Sequence, residues 1–262
     1  MTPRALPPTI AAIGIAVAVT ACSTPPSTPM SAGPAAGANG DITVFAASSL
    51  ASVFTTLARQ FERAHPGTNV RFSFAGSTAL VAQLTAGAPA DVFAAADEAT
   101  MGAVVEAGLV TGTPAVFATN TLTIVTAPGN PQSINEFADL AGPGISVVLC
   151  APQVPCGAAR VELEKVTGVS LTPISEESTV TDVLGKVTAG QADAGLVYVT
   201  DAEDAGDKVT AVAIPESGQA ENSYPIALLG ESRNLTGAKL FVEMVTGPIG
   251  RKALAGAGFT VP

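Results

Sequence analysis

A strand-like run at residues 43–45 leads through small residues into a helical pattern that begins at residue 50. In that pattern, apolar residues recur every three or four positions, as on one face of a helix: Leu50, Val53, Phe54, Leu57, Ala58 and Phe61. Ser49 therefore falls where an N-cap is expected. Unpaired amides and the positive end of the helix dipole lie at such a position, so Ser48 and Ser49 either face an anion or simply cap the helix.

Strands and helices alternate along the rest of the chain, which is typical of an α/β fold with open, mostly parallel sheets flanked by helices. Because there are too many strands for one small sheet, we predict two lobes. The first is predicted at residues 41–120 and 227–262, and the second at residues 121–226. Ligands of open sheets bind in the crevice at the carboxyl ends of the strands, so the predicted ligand lies between the lobes.

Composition narrows the classes of partner. The chain has 262 residues, of which 47% are hydrophobic and 13% charged, with a formal net charge of -10. Such an acidic, charge-poor chain argues against nucleic acid or an anionic membrane surface as a partner. It does not argue against a small anion, which responds to local dipoles and hydrogen-bond donors.

The N-terminus predicts export. Residues 1–21 combine an early Arg4 with an apolar run at 10–19 that is too short to span a bilayer, which indicates a signal peptide. The run at 19–22 resembles a bacterial lipobox, which implies cleavage before Cys22 and a lipid on its sulfur; an ordinary signal peptide is the alternative. Residues 22–40 are predicted to be a flexible linker. The protein is then anchored to the outer face of the cell membrane by its lipid.

Three cysteines occur in the chain. If Cys22 carries lipid, Cys150 and Cys156 are left as a pair in an oxidising compartment, where they either form a disulfide or remain free. Zinc binding is the weaker alternative, because two thiols without a neighbouring histidine provide half a site.

Four turns of small residues come directly before predicted helices. They are Ser48-Ser49, Gly76-Ser77, Pro155-Cys156-Gly157 and Ser178-Thr179-Val180. Each offers backbone donors at the positive end of a helix, and glycine lets a backbone approach closely. Together they could surround a tetrahedral oxyanion without any lysine or arginine.

Five blocks of sequence carry a resemblance to a known family, and they lie at residues 43–50, 74–77, 83–93, 194–198 and 256–259. In these blocks the chain resembles the periplasmic molybdate-binding proteins of ABC importers, over residues 41–262. The resemblance implies a type II periplasmic-binding-protein fold and a bound molybdate or tungstate without direct metal ligands. It also implies a membrane permease as partner, no cofactor, a monomer, and no enzymatic activity.

The resemblance also implies a ligand set. The family's oxyanion-binding positions match the hydroxyls of Ser49 and Ser77, the amides of Cys156 and Val180, and the hydroxyl of Tyr198. Cys156 stands where the family commonly has a small alanine, a change that keeps the amide. Thr78 remains the alternative to Ser77 as the donor of the second turn.

Rival functions find less support in the sequence. An enzyme needs a base, yet His65, the sole histidine, lies in a helix-ending turn, and no nucleophile elbow or phosphate loop occurs. Asp91 and Asp97 could pair as carboxylates, but Asp91 is predicted to bond backbone locally. The remaining rivals are an inert surface lipoprotein and a binding protein for sulfate or phosphate.

Overall fold

The computed structural model describes residues 39–262. The predicted signal peptide at 1–21, Cys22 and the linker up to residue 38 lie outside the described residues. Across residues 39–262, every helix is too short or too polar to cross a membrane.

Strands and helices alternate along the described chain as the sequence predicts. The strands are β1 (Gly40–Ala47), β2 (Thr68–Ala75), β3 (Val92–Ala94), β4 (Val110–Asn120), β5 (Leu122–Thr126), β6 (Val147–Cys150), β7 (Ser175–Glu177), β8 (Ala194–Tyr198), β9 (Thr210–Val212) and β10 (Asn222–Leu229). The α-helices are α1 (Ala51–Ala64), α2 (Ser77–Thr85), α3 (Glu98–Glu106), α4 (Pro155–Thr167), α5 (Val180–Thr188), α6 (Val199–Ala205), α7 (Leu235–Thr246) and α8 (Pro248–Gly256). Short 3-10 helices lie at Ser48–Leu50, Phe137–Ala141, Gly206–Lys208 and Pro215–Ala220.

The strands form two five-stranded sheets, in the orders β2-β1-β3-β10-β4 and β7-β6-β8-β5-β9. Helices α1, α2, α3, α7 and α8 pack on the first sheet, and α4, α5 and α6 on the second. We call these two assemblies the first and second lobes. The predicted two-lobed α/β fold is confirmed.

Each sheet is mixed and not mostly parallel as predicted, with two parallel and two antiparallel pairs of strands. In the first sheet β10 runs antiparallel to both of its neighbours, and in the second sheet β5 does the same. The reason lies in the path of the chain, because β5 follows β4 after one residue and β10 brings the chain back to the first sheet. Strands β5 and β10 each begin at the side of their lobe that faces the other lobe. The neighbouring strands end at that side, so β5 and β10 run antiparallel to them.

The first lobe is built on a rigid aromatic core. Helix α1 buries Phe54 and Phe61, and both rings meet Phe241 of α7 edge-on, with centroids 6.1 and 5.5 Å apart. Buried aromatic pairs of this geometry add to the apolar burial that stabilises a core. This packing fixes the position of α1, whose N-terminal end faces the second lobe.

Candidate functional site

A small pocket lies between the two lobes at the carboxyl ends of the central strands. The first lobe lines it with Ala47, Ser48, Ser49, Gly76, Ser77 and Ala96, and the second with Val154, Pro155, Cys156, Ser178, Thr179, Val180 and Tyr198. The cavity volume is about 10 Å³, close to the least that holds one water molecule. All five residues that were predicted as ligands line this one pocket, although they come from distant parts of the chain.

Ser77 is the first residue of α2 and is almost wholly buried. Its Oγ accepts a hydrogen bond from the amide of Ala96 at 3.0 Å. Since a hydroxyl has one proton to donate, this contact leaves the proton of Ser77 for an acceptor in the pocket. Thr78 instead donates its hydroxyl to the carbonyl of Gln153 at 2.9 Å, so the geometry favours Ser77 over Thr78 as the pocket donor.

Ser49 does not cap a helix, which was one of the two roles that the sequence left open for it. It lies in the 3-10 turn Ser48–Leu50, and α1 begins only at Ala51 without a side-chain cap. The Ser49 hydroxyl lies 3.1 Å from the hydroxyl of Tyr224. Burial raises the pKa of Tyr224 far above its ordinary value, so this phenol stays protonated and can donate to Ser49. The serine proton is then available to the pocket, as in Ser77.

The second lobe contributes two helix N-termini. Cys156 is the second residue of α4, after Pro155, and Val180 is the first residue of α5. Amides in the first turn of a helix have no carbonyl partner within that helix and carry the positive end of its dipole. The cap of α5 leaves this donor open, because the Thr179 hydroxyl accepts from the amide of Asp182 instead.

A disulfide joins Cys150 to Cys156 and closes the loop that precedes α4. This pairing was one of the three states that the sequence left open. The loop packs tightly on the helix: a Cβ added at Gly157 would lie 1.8 Å from the carbonyl oxygen of Ala151. Only glycine fits at that distance, so the turn that presents the Cys156 amide depends on Gly157 as well as on the disulfide.

Tyr198 ends β8 with its side chain 1% exposed. Within residues 39–262 its hydroxyl has no hydrogen-bond partner. Burial raises its pKa well above the ordinary value, so the hydroxyl remains a donor. A buried polar group without a partner costs about 1–3 kcal/mol, and an oxygen of a bound anion would remove that cost.

Supporting residues that the sequence reasoning missed complete the pocket. Tyr224 and Ala96 orient the two serines, and Asn222 donates to the carbonyls of Ala96 and Pro155 at 2.8 and 3.5 Å. A polar residue at the start of the Asn222–Leu229 strand is the only sequence signal for Asn222.

The carboxylates considered for catalysis do not form a pair. Asp91 accepts from the amides of Thr43 and Arg233 at 2.7 and 2.8 Å and from the Ser232 hydroxyl, so it bonds backbone as predicted but far along the chain rather than locally. Asp97 caps α3 by accepting from the amide of Thr100. Both aspartates thus have structural partners.

Asp201 is the titratable group that lies beside Tyr198. Its carboxylate accepts from the Tyr198 amide at 3.1 Å and is almost fully buried. Burial is the main cause that raises its pKa from 3.8 to about 7, and the nearby charge of Asp204 adds to the rise. The folded protein therefore holds this proton over a pH range in which the unfolded chain releases it.

We expect Asp201→Asn to stabilise the protein at pH 8 and to have much less effect at pH 5. An acid whose folded pKa is raised contributes stability that is fully present below its unfolded pKa and is lost as the pH rises towards about 7. The difference from 3.8 corresponds to about 4 kcal/mol at most. Asparagine keeps the acceptor for the Tyr198 amide and removes the charge. Thermal unfolding at both pH values measures the effect, with the exposed Asp207→Asn as control; equal shifts at the two pH values would contradict it.

The pocket is lined by hydrogen-bond donors from both lobes and, among the described residues, by no lysine, arginine or carboxylate. Such a site complements an anion that carries several acceptor oxygens and no proton. A two-lobed α/β chain with a pocket between its lobes has the architecture of a solute-binding protein, and this pocket offers the hydrogen-bond donors that a small oxyanion needs.

Comparison with known proteins also indicates a solute-binding protein. A family model described as bacterial extracellular solute-binding protein matches residues 42–260. The molybdate-binding protein ModA of Mycobacterium tuberculosis is 53% identical over 240 residues, which cover 92% of this chain and 91% of that protein. The chain belongs to the bacterial extracellular solute-binding proteins and, among them, to the family of the molybdate-binding proteins ModA.

Solved structures share the fold. The periplasmic molybdate-binding protein of Azotobacter vinelandii has a TM-score of 0.74 at 23% identity, covering 84% of this chain and 99% of that one. The sulfate-binding protein SubI of Mycobacterium tuberculosis also has a TM-score of 0.74, at 20% identity, covering 84% and 86%. Fold likeness alone therefore does not separate one oxyanion from another. Membership of a solute-binding family makes this chain a binding protein rather than an enzyme.

Proposed function

We propose that the protein captures molybdate, and also tungstate, outside the cytoplasm and delivers it to the membrane permease of an ABC importer. The observation that carries the proposal is the donor set: two serine hydroxyls, two helix N-terminal amides and one unpaired tyrosine hydroxyl meet in one pocket without a counter-charge. The ligands are Ser49, Ser77, Cys156, Val180 and Tyr198. The name of the 53% identical relative supports molybdate.

A donor-only site selects among oxyanions by protonation. Molybdate and tungstate are fully ionised at neutral pH, so every oxygen can accept a hydrogen bond. Hydrogen phosphate keeps one proton, which would face a donor and leave both groups without an acceptor. Sulfate passes this test and is excluded only if the pocket is too large to hold it in contact with all five donors.

Sulfate is accordingly the second candidate, because it is also fully ionised at neutral pH and offers only acceptor oxygens to the donors of the pocket. Isothermal titration of the purified protein with molybdate, tungstate, sulfate and phosphate decides between them. We expect tight binding of the first two, weak binding of sulfate and none of phosphate. Sulfate binding as tight as that of molybdate would remove the argument from size.

The mechanism proposed for transport is capture followed by closure. The anion first meets donors of one lobe, and the lobes then close by a hinge motion at the two connections between the sheets. Closure brings the remaining donors into contact and replaces the water around the anion. The closed form docks on the permease, and nothing is chemically transformed.

The remaining proposals concern the parts of the chain around the binding domain. Residues 1–21 act as a signal peptide, Cys22 carries a lipid, and residues 22–40 tether a monomeric domain to the outer face of the cell membrane. The predicted return to the first lobe at residue 227 lies too late, because β10 joins the first sheet from Asn222; we propose that residues 41–120 and 222–262 form one folding lobe and residues 121–221 the other. Mass spectrometry of the mature protein tests the lipid, and a Cys22→Ser variant should be released from the membrane.

We expect Tyr198→Phe to weaken molybdate binding by about 10- to 150-fold, the value of one hydrogen bond to a charged group. The unliganded protein should keep or slightly raise its unfolding temperature, because the lost hydroxyl has no partner within the described residues. Titration calorimetry and thermal unfolding of the same samples measure both effects.

The matched variant is Tyr224→Phe, which removes the other tyrosine hydroxyl of the chain. That hydroxyl is bonded to Ser49, so its loss should lower the unfolding temperature without ligand. Unchanged molybdate affinity in Tyr198→Phe would show that this hydroxyl does not touch the anion.

A further inference from the structure

One loop of the second lobe meets both the ligand pocket and the first lobe. We call residues 151–155, which run from the end of β6 into the first residue of α4, the disulfide loop, because the Cys150–Cys156 bond closes it. From the first lobe, Thr78 donates its hydroxyl to the carbonyl of Gln153 at 2.9 Å. The side-chain Nδ2 of Asn222 donates to the carbonyl of Pro155 at 3.5 Å and to the carbonyl of Ala96 at 2.8 Å. The loop therefore accepts hydrogen bonds from two separate elements across the cleft.

The second lobe holds the disulfide loop in one conformation. The amide of Ala151 donates to the carbonyl of Glu177 at 2.9 Å, and the amide of Val154 to the carbonyl of Ala151 at 3.1 Å. Gly157 lies against Ala151 at a distance that no other residue allows. A disulfide across this short loop further reduces the conformations open to it. The carbonyls of Gln153 and Pro155 are thus presented at fixed positions before the lobes meet.

We propose that the disulfide loop is the closure latch of the protein, with Thr78 as a positioning residue and the Cys150–Cys156 bond as the element that preforms the latch. The inference rests on the proposed function and deepens it. The loop leads into Cys156, and Thr78 directly follows Ser77; both Cys156 and Ser77 line the pocket. The Thr78–Gln153 bond therefore joins the neighbours of two ligand residues, so lobe closure and anion binding reinforce each other.

This arrangement has a kinetic consequence. A bond that forms only when the lobes close slows the opening that releases the anion, but it does not affect the first encounter with the open cleft. Loss of the Thr78 hydroxyl should raise the dissociation rate of molybdate about three- to tenfold, the range of one net hydrogen bond. The association rate should change less than about twofold.

Stopped-flow measurement of molybdate binding to the full exported protein tests the latch. Thr78→Val removes the hydroxyl at constant shape, and Thr78→Ser should restore it. Thr85→Val is the matched control, because this threonine is exposed on the same helix and bonds only the carbonyls of Val81 and Ala82 in its own helix. We expect fast dissociation in Thr78→Val alone, with unfolding temperatures within error of the unaltered protein.

A second arm tests the disulfide. Dithiothreitol reduces it, becoming a cyclic disulfide while each cysteine sulfur takes up a proton; the double variant Cys150→Ala with Cys156→Ala removes the bond without reductant. We expect faster dissociation in both, and a smaller additional effect of Thr78→Val than in the oxidised protein, because a mobile loop no longer offers Gln153 at a fixed position. If the reduced protein unfolds by circular dichroism, the oxidised Thr78 series decides the question by itself.

The outcomes separate this inference from the proposed function. If the unaltered oxidised protein binds no molybdate, the proposed function and the proposed latch are both wrong. If it binds molybdate but Thr78→Val releases it no faster than Thr85→Val, the latch alone is wrong. Additive effects of reduction and Thr78→Val would show that the disulfide does not act through this contact.

Discussion

Replacing Gly76 by alanine is expected to weaken molybdate binding by about 5- to 150-fold without lowering the unfolding temperature. A Cβ at this position would lie 2.3 Å from the carbonyl oxygen of Ser178 in the opposite lobe. The atom it meets belongs to the backbone and cannot rotate away, so the lobes must move apart. Overpacking of this kind costs about 1–3 kcal/mol, which equals the stated range in affinity.

The substitution should make closure of the lobes less favourable and leave the stability of the unliganded protein unchanged. Gly76 has φ -60, which alanine adopts without strain, and the atoms that the extra methyl group would meet all belong to Ser178 and Thr179 of the opposite lobe, which the proposed hinge motion moves away. Calorimetry with molybdate and thermal unfolding without it measure the two effects. Gly102→Ala is the control, since a Cβ there meets no described atom within 4 Å. Equal affinity of the Gly76→Ala and Gly102→Ala variants would contradict a closed cleft as the binding form.

The double replacement of Ser49 and Ser77 by alanine is expected to weaken molybdate binding by about 100- to 10,000-fold. Each hydroxyl gives one hydrogen bond to a charged group, worth about 1.5–3 kcal/mol, and the two lie on different turns of the first lobe. The helix amides of the second lobe remain, so residual binding persists. Thr78 cannot substitute for Ser77, because its hydroxyl is engaged with Gln153.

Titration calorimetry of the single and double variants measures this loss. Ser170→Ala, at an exposed position after α4, is the control for a serine that lies outside the pocket. Ser77→Ala also removes the acceptor of the Ala96 amide, so it should lower the unfolding temperature more than Ser49→Ala does. Unaltered affinity in the double variant would mean that the anion does not bind at these hydroxyls.

The ligand candidates could be found from the sequence because most of them sit in a short local pattern. Gly76-Ser77 and Ser178-Thr179-Val180 stand directly before helical periodicity, and helix N-termini offer donors wherever they occur. The local pattern was misleading at Ser49, where a 3-10 turn delays the helix and the hydroxyl turns to Tyr224. A serine that caps a helix and a serine that binds a ligand have the same local sequence pattern when the contact that distinguishes them comes from a residue far along the chain.

The residues that orient the donors could not be predicted, because their contacts span the chain. Ser49 and Tyr224 are 175 positions apart, and Asn222 meets Ala96 across 126. No local rule links such pairs, and both depend on β10 returning to the first sheet. Asp91 shows the same limit, since it bonds residues 232–234 and not its own neighbours.

Sheet direction and edge strands were the weakest part of the sequence-based fold. Alternating strands and helices predict parallel pairs, but the strand that enters each lobe from the other is reversed. The long strand β4 is difficult to predict because Gly112 and Pro114 interrupt its pattern. Proline is tolerated there because β4 lies at the edge of its sheet, where one side of the backbone needs no partner.

A crystal of the protein grown with molybdate, examined for the anomalous signal of molybdenum, tests the central claim most directly. We expect one strong peak between the lobes, with oxygens about 2.7–3.2 Å from the hydroxyls of Ser49, Ser77 and Tyr198 and from the amides of Cys156 and Val180. No lysine or arginine nitrogen should contact the anion. A peak outside this pocket, or an anion held by a cationic side chain, would contradict recognition by uncharged donors.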